Sequence, residues 1–338
     1  MTNSRAILAE DLAKKIPCKV YYQRPNGLIL TSCSSYKEWS ILGKLPPNVF
    51  IIFHDWSYQY HLDGSHWERF VGKNFENFVF LSGEATTNDI RKAVGLNSFH
   101  IPHNTFINTD IFRIFENSTF DRFDAVLTSR AKDWKRIWLA GCLSNLCLII
   151  DRFKIDNHRG MNCNSYESLN YSFLNRTRVS KPFIAEKYNQ SRCGLIFSNR
   201  EGGCYTSSEY LLCGLPVIST EPEPGQELGG REFWYTEYNS ILCKPTLEAV
   251  RDAYATVSNS IYDHVAIREH HLKTMASLKR TFVDGVLHPI FHKIGEFESP
   301  SEYFYRHEFI GNSPRHEILA EGNFKALSDI VKLIECYS

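Results

Sequence analysis

Residues 200 to 220 read Arg-Glu-Gly-Gly-Cys-Tyr-Thr-Ser-Ser-Glu-Tyr-Leu-Leu-Cys-Gly-Leu-Pro-Val-Ile-Ser-Thr, and this stretch decides the fold. Two carboxylates, Glu201 and Glu209, stand with seven residues between them. The first sits in a glycine turn with Gly202 and Gly203, the second inside a short apolar helix. That helix stops at Gly214-Leu215-Pro216 and runs into a buried strand, Val217 to Thr220. Upstream, Cys193 to Ser198 reads as the strand that feeds the turn. Strand, glycine turn, helix, glycine stop, strand is how an α/β protein builds a phosphate-facing crevice at the carboxyl ends of its strands. The glycines remove side chains where backbone must approach a ligand closely. Thr206 or Ser207 is expected to cap the helix, whose N-terminus would meet a diphosphate. A carboxylate at each end of such a turn suits a ligand with hydroxyls on both sides of a phosphate, and a nucleotide sugar is one. A plain capped helix with exposed acids would carry the same pair, so the surrounding frame supplies the weight.

Outward from this stretch, strands alternate with helical patterns, which implies parallel sheets covered on both faces. A strand at Phe123 to Thr128 leads into Thr128-Ser129-Arg130-Ala131-Lys132-Asp133-Trp134-Lys135-Arg136, and a helix is expected from Asp133 to Leu146. Four cations against one acid, at the start of a helix, read as a site for a single anion. Arg130 offers a planar fork for phosphate oxygens, with Lys135 about one turn further on. A solvated basic first turn is the competing reading. Further strands are expected at Cys147 to Asp151 and Ile241 to Lys244, an irregular polar stretch at Lys154 to Leu174, and a helix at Pro182 to Gln190. Long helical patterns fill Leu247 to Phe282.

In the first third, strands are expected at Lys19 to Gln23, Leu28 to Ser32, Val49 to His54, Phe78 to Ser82 and Phe99 to Pro102, with a helix at Thr87 to Val94. His54, closing an apolar strand in Phe53-His54-Asp55-Trp56, is this region's candidate for chemistry. A structural histidine bonded to Asp55 or backbone is the alternative. His288 and His292, four apart, lack a third ligand and read as surface residues.

The bulk numbers suit two domains. The chain has 338 residues, 43 % hydrophobic and 14 % aromatic, enough for two cores. Lys plus Arg equals Asp plus Glu at 38 each, which argues against broad nucleic-acid binding. The N-terminal stretch is polar, and the longest apolar run, Trp138 to Ile150, is interrupted by Ser144 and Asn145. Neither a secretory signal nor a membrane span is therefore expected. Ten cysteines with no Cys-x-x-Cys pair read as reduced thiols of a cytoplasmic protein.

The segment from Glu201-Gly-Gly through Glu209-Tyr-Leu-Leu-Cys-Gly-Leu-Pro-Val-Ile-Ser-Thr resembles the E-x7-E segment of retaining GT-B glycosyltransferases of the family 4 type. Other pieces fall in the expected order. Phe99-His-Ile-Pro-His-Asn, with Phe112 downstream, looks like that family's interdomain crossing. Ser129-Arg130 with Lys135 looks like its arginine–lysine diphosphate clamp. Gly229-Gly230-Arg231-Glu232 and Tyr238-Asn239-Ser240-Ile241-Leu242 look like the donor-side loop and following strand. The resemblance covers roughly residues 98 to 255. It implies two Rossmann-like domains: an N-terminal acceptor-side domain over 1–105 and a nucleotide-sugar domain over 106–285. An extension over 286–338 is expected to pack back towards the first domain.

By the same resemblance Arg130 and Lys135 hold the diphosphate, Glu201 the donor sugar and Glu209 the nucleotide ribose. Gly202, Gly203, Cys204, Tyr205 and Thr206 line the donor site, with backbone amides from Cys204 to Thr206 on the phosphate. His54 faces the reacting sugar. The implied activity is that of a hexosyltransferase of polysaccharide or glycolipid pathways. It would move a sugar from a UDP- or GDP-linked donor to a hydroxyl of a glycan or glycolipid, with retention, and peripheral membrane contact is compatible with it. No Asp-x-Asp motif occurs, so neither metal nor cofactor is expected. The chain departs from the family in a first domain of about 100 residues without a Gly-Gly loop. Its turn also reads Glu201-Gly202-Gly203-Cys204, where the family more often has an aromatic after the first glycine. A nucleotide-sugar epimerase, a phosphorylase on the same fold and a silent sugar-nucleotide-binding protein remain as alternatives.

Overall fold

The computed structural model describes residues 15–32, 45–54, 75–151, 165–201, 203–225, 228, 231–307 and 324–337. The chain divides into two compact units, Met1–Ile107 with Ala276–Ser338, and Asn108–Met275. Both are α/β.

The first unit opens with strands β1 (Lys15–Arg24), β2 (Gly27–Ser32), β3 (Val49–His54) and β4 (Phe78–Ser82), then helix α1 (Ala85–Ala93) and β5 (Asn97–His100). β1 and β2 form an antiparallel hairpin, while β2 through β5 are parallel and follow one another in chain order. Strand β3, Val-Phe-Ile-Ile-Phe-His, is buried along its whole length because both faces of the sheet are covered. Alternate residues therefore feed two cores: Phe50 and Ile52 one, Val49, Ile51 and Phe53 the other. The last strand expected in this unit forms two residues early, at Asn97–His100 rather than Phe99 to Pro102.

The second unit holds β6 (Ala125–Arg130), β7 (Leu146–Asp151), β8 (Tyr171–Leu174), α2 (Lys181–Tyr188), β9 (Gly194–Ile196), α3 (Tyr205–Leu212), β10 (Val217–Thr220), β11 (Ser240–Cys243) and α4 (Leu247–Asn259). Helix α5 (His264–Phe282) follows. All six strands are parallel, in the order β8-β7-β6-β9-β10-β11. Numbered within the unit, that is 3-2-1-4-5-6, the order of a doubly wound nucleotide-binding sheet. Two expectations fail here. The helix expected from Asp133 to Leu146 is instead a pair of 3-10 turns, Asp133–Lys135 and Ile137–Cys142. They are separated by Arg136 in the left-handed region at φ 45°. Tertiary bonds explain the break: Arg136 donates to Phe197 O at 2.6 Å and to Thr220 Oγ1 and Glu221 O at 2.8 Å each. The polar stretch expected to be irregular ends in β8, an edge strand too exposed to show an apolar pattern.

The chain then returns through α6 (His288–Lys293), α7 (Pro300–Arg306), β12 (Phe324–Ala326) and α8 (Leu327–Glu335). β12 adds to the sheet of the first unit antiparallel to β1. Leu327, Ile330 and Ile334 of α8 fill one of that unit's cores, and Phe282 to Phe291 with Tyr303 and Phe304 fill the other. Tyr22, which donates to Glu296, holds that carboxyl down at about 2. Arg24 pairs with Glu296 at 3.2 Å and with Glu298 at 2.7 Å.

Candidate functional site

In the second unit the strand order reverses between β6 and β9, and a doubly wound sheet opens a crevice at the carboxyl ends of such a pair. Here the two strands share a single register position, Val126 with Gly194. A Cβ on Gly194 would stand 2.2 Å from the Tyr210 ring, so glycine lets that ring lie directly on the strand. The Tyr210 hydroxyl accepts from the Thr128 N–H at 2.9 Å and donates to Val126 O at 3.1 Å. It thus bonds backbone groups of β6 beside the point where β9 turns away.

Beyond that point lies a small cavity, bordered by Thr128, Ser129, Lys135, Ser198, Glu201, Cys204 and Thr206 among others. Lys135 closes the first 3-10 turn, and Glu201 stands in the loop after β9. Their side chains, each 12 % exposed, form an ion pair. Ser198 joins both, donating to Glu201 Oε1 at 2.5 Å and accepting from Lys135 Nζ at 3.1 Å. Burial acts to raise the Glu201 carboxyl, but the Lys135 ammonium, the Ser198 hydroxyl and the Arg231 charge outweigh it. They hold Glu201 below the usual carboxylate range.

Helix α3 begins at the cavity. Its N-cap is Cys204, with no side-chain cap. Thr206 and Ser207 lie inside the first turn, contrary to the capping expected of them. Ser207 is engaged elsewhere, donating to Cys204 O at 3.1 Å and accepting from Trp234 Nε1 at 3.1 Å. Burial pushes the Cys204 thiol up to about 11, which makes it inert as a nucleophile at neutral pH. Tyr205 opens the helix half-buried. The helix ends as expected at Gly214, φ +76°, with Leu215 N bonded to Tyr210 O and Gly214 N to Leu211 O at 3.0 Å each.

Glu209 takes a different wall. It is half-buried within α3, 3.3 Å from the Tyr188 hydroxyl, which also lies 3.1 Å from Thr128 Oγ1. Burial raises its carboxyl to about 7, against the pull of the Lys181 charge and the Tyr188 hydrogen bond. Arg130 is the last residue of β6, in register with Asp151 of β7, and half-buried. Lys132 is buried, its ammonium 5.9 Å from the Trp134 ring. The cavity therefore gathers Lys135, Glu201, Cys204 and Thr206, with Glu209 and Arg130 set on neighbouring elements. Gly202 and the Gly229-Gly230 pair lie outside the described residues.

No protein-family model matches this sequence, and neither does any curated protein. Solved structures do. A glycosyltransferase from Rickettsia africae ESF-5 superposes at a TM-score of 0.53 with 13 % identity, over 79 % of this chain and 76 % of that one. The fold is GT-B. More distant likenesses include sucrose-phosphate synthase from Thermosynechococcus elongatus, with TM-score 0.47 and 14 % identity over 73 % of this chain and 67 % of that one. Anabaena HepE, solved with UDP-glucose, has TM-score 0.47 and 13 % identity, over 73 % of this chain and 71 % of that one.

Within this GT-B fold, His54 belongs to the first unit, at the carboxyl end of β3. It is buried, edge-on to Phe106 at 5.7 Å. Burial, with the nearby His103 charge, lowers its pKa to about 3, so the imidazole is neutral at physiological pH. Asp55, its alternative partner, lies outside the described residues. Sequence reading missed Ser198, Tyr188, Tyr210 and the role of Arg231. Ser198 was discoverable as a hydroxyl at the carboxyl end of a strand, three residues before Glu201. The tyrosines read as core residues and reveal their hydroxyls' partners only in three dimensions. Among the described residues no helix is long and apolar enough to cross a membrane.

Proposed function

We propose that this protein is a retaining, metal-independent glycosyltransferase. It would move a sugar from a nucleoside-diphosphate sugar to a hydroxyl of a glycan or glycolipid acceptor. The observation that carries this reading is the Lys135–Ser198–Glu201 cluster at the strand-order reversal, beside an α3 N-terminus without a side-chain cap. Breaking the bond between an anomeric carbon and a diphosphate builds negative charge on the leaving oxygen. A fixed ammonium and the leading N–H groups of a helix stabilise that charge without reorganising. In this reading Lys135 and Arg130 hold the diphosphate, and the Cys204 to Thr206 backbone completes its cradle. Glu201 accepts hydroxyls of the donor sugar and Glu209 accepts those of the ribose. His54 serves, if it touches substrate, as a neutral hydrogen-bonding group. The GT-B fold supports the class of activity, and the resemblance around Glu201 and Glu209 supports retention.

The test is a thermal-shift panel of UDP, GDP, ADP and CMP, each with and without Mg²⁺. A ligand that binds only the folded protein raises its melting temperature. The expected result is a rise with UDP or GDP that Mg²⁺ does not change. No rise with any of the four overturns the nucleotide-sugar reading, and a rise that requires Mg²⁺ overturns metal independence.

A further inference from the structure

Among the described residues two charged side chains border the cavity, Lys135 and Glu201, and they neutralise one another. Both are nearly buried, and Ser198 ties the pair from the side, donating to the carboxylate and accepting from the ammonium. The bonds from Lys135 and Ser198 both end on Glu201 Oε1. Among the described residues no hydrogen bond reaches Oε2. The cavity thus meets an incoming anion with a cation that a carboxylate already claims. A pair sheltered from water keeps more of its Coulomb attraction than an exposed one. An anion that engages Lys135 must share it with Glu201 and stand beside a like charge. Whether that cost is offset depends on what else the ligand brings to Glu201.

We propose that the Lys135–Glu201 pair lets this site tell an intact nucleoside-diphosphate sugar from the nucleoside diphosphate left after transfer. This role rests on the donor reading above. In the intact donor the terminal phosphate is esterified to the anomeric carbon and has no second ionisation. Its sugar hydroxyls can donate to Glu201 while the diphosphate engages Lys135. The carboxylate then exchanges one charged partner for neutral donors, with Oε2 open to a further hydroxyl. When the bond to the anomeric carbon breaks, its electron pair stays on the terminal phosphate oxygen. The sugar passes to the acceptor oxygen, which gives up its proton. The product therefore gains negative charge, since a terminal phosphate is largely doubly ionised at neutral pH. It also has no sugar hydroxyls for Glu201. That leaves a nearly buried carboxylate beside an anion, with Ser198 as its remaining hydroxyl donor among the described residues, and it competes for Lys135. Lys135 stabilises the leaving group, and Glu201 reclaims that ammonium once the sugar has gone. One contact thereby favours both capture of donor and release of product.

The test compares dissociation constants of wild type and Glu201→Gln by isothermal titration calorimetry. The probes are inorganic pyrophosphate, UDP with UDP-glucose, and GDP with GDP-mannose. Without the carboxylate Lys135 is no longer claimed, so Glu201→Gln should bind pyrophosphate and the nucleoside diphosphate about tenfold or more tightly than wild type does. The intact donor should gain nothing or lose affinity, because glutamine lacks the charge that its hydroxyls bond. The wild-type preference for intact donor over diphosphate should therefore fall about tenfold or more. An unchanged preference overturns the proposal, as does pyrophosphate or diphosphate binding that Glu201→Gln leaves equal or weakens. If Glu201→Gln does not fold, Glu201→Ala replaces it, with the same expected direction and the same overturning results. Pyrophosphate needs neither nucleoside nor sugar, so the two failures look different. Tightened pyrophosphate binding with no nucleotide bound by either protein overturns the donor reading and the discrimination with it. Nucleotide binding with an unchanged preference overturns the discrimination alone.

Discussion

The two sheets of this chain are built from similar strands and differ in their order. In the first unit β2, β3, β4 and β5 lie side by side in chain order, so successive connections never reverse. In the second, the order turns back on itself between β6 and β9. The carboxyl ends of the two sheets differ accordingly. The first places His54 at a strand end, buried against Phe106 and neutral. The second lets two strands part, and a lysine, a serine and a glutamate meet around the gap. A reversal of direction, rather than a special residue, separates a packed strand end from an open one.

The largest effect should come from the gap itself. Replacing Lys135 with alanine is expected to reduce turnover on the order of a hundredfold or more, read as release of nucleoside diphosphate. Near-wild-type turnover would remove the open end of the second sheet as the place of chemistry.

Next comes Glu209. Its carboxyl titrates near 7 in the folded protein and, like an ordinary glutamate, near 4.5 when unfolded. Between these values the folded state holds the extra proton, so this group's contribution to stability is greatest below 4.5 and is lost as pH rises to about 7. The change is on the order of 3 kcal/mol, and Glu209→Gln should abolish it in denaturant titrations across that range. Because ribose hydroxyls would bond the ionised form, nucleotide affinity should climb through the same window in the wild type and stay flat in the variant.

The parting of β6 and β9 can be tested directly. Tyr210→Phe leaves the Thr128 N–H without its partner and should cost about 1–3 kcal/mol of stability. Gly194→Ala drives a methyl into the Tyr210 ring and should cost a similar amount through overpacking. Should both variants melt with the wild type, Tyr210 does not hold the strands apart.

The smallest effect belongs to the first sheet. The His54 ring signals should stay fixed between pH 5 and 8, because its protonation is displaced to about 3. Its contribution to stability is full above 6.5 and is lost as pH falls towards 3, where the unfolded chain binds the proton first. A titration near 6.5 would make the two strand ends chemically alike and undo the contrast.

Much of this was legible in the chain itself. Strong apolar runs such as Val49 to His54, Phe78 to Ser82 and Val217 to Thr220 form strands over those same residues, because a strand buried on both faces is a continuous hydrophobic run. The glycine stop at Gly214 was equally readable, since only a left-handed residue ends the helix there. Elements held by distant partners were not readable. The segment after Asp133 has a helical pattern, but Arg136 exchanges helix continuity for bonds to Phe197, Thr220 and Glu221, more than sixty residues away.

Sequence by itself determined that this is an α/β protein with carboxylates and cations clustered around turns, because local periodicity and turn chemistry are properties of neighbours in the chain. Only the tertiary structure decided which of those groups share a cavity. Glu201 and Glu209 are neighbours in sequence, yet one is held ionised by Lys135 and the other is raised to about 7 by burial beside Tyr188. Lys135 comes from the connection after β6, Ser198 and Glu201 from the one after β9, and Arg231 from the one after β10. Their charges act on one another through space, and strand order sets that distance.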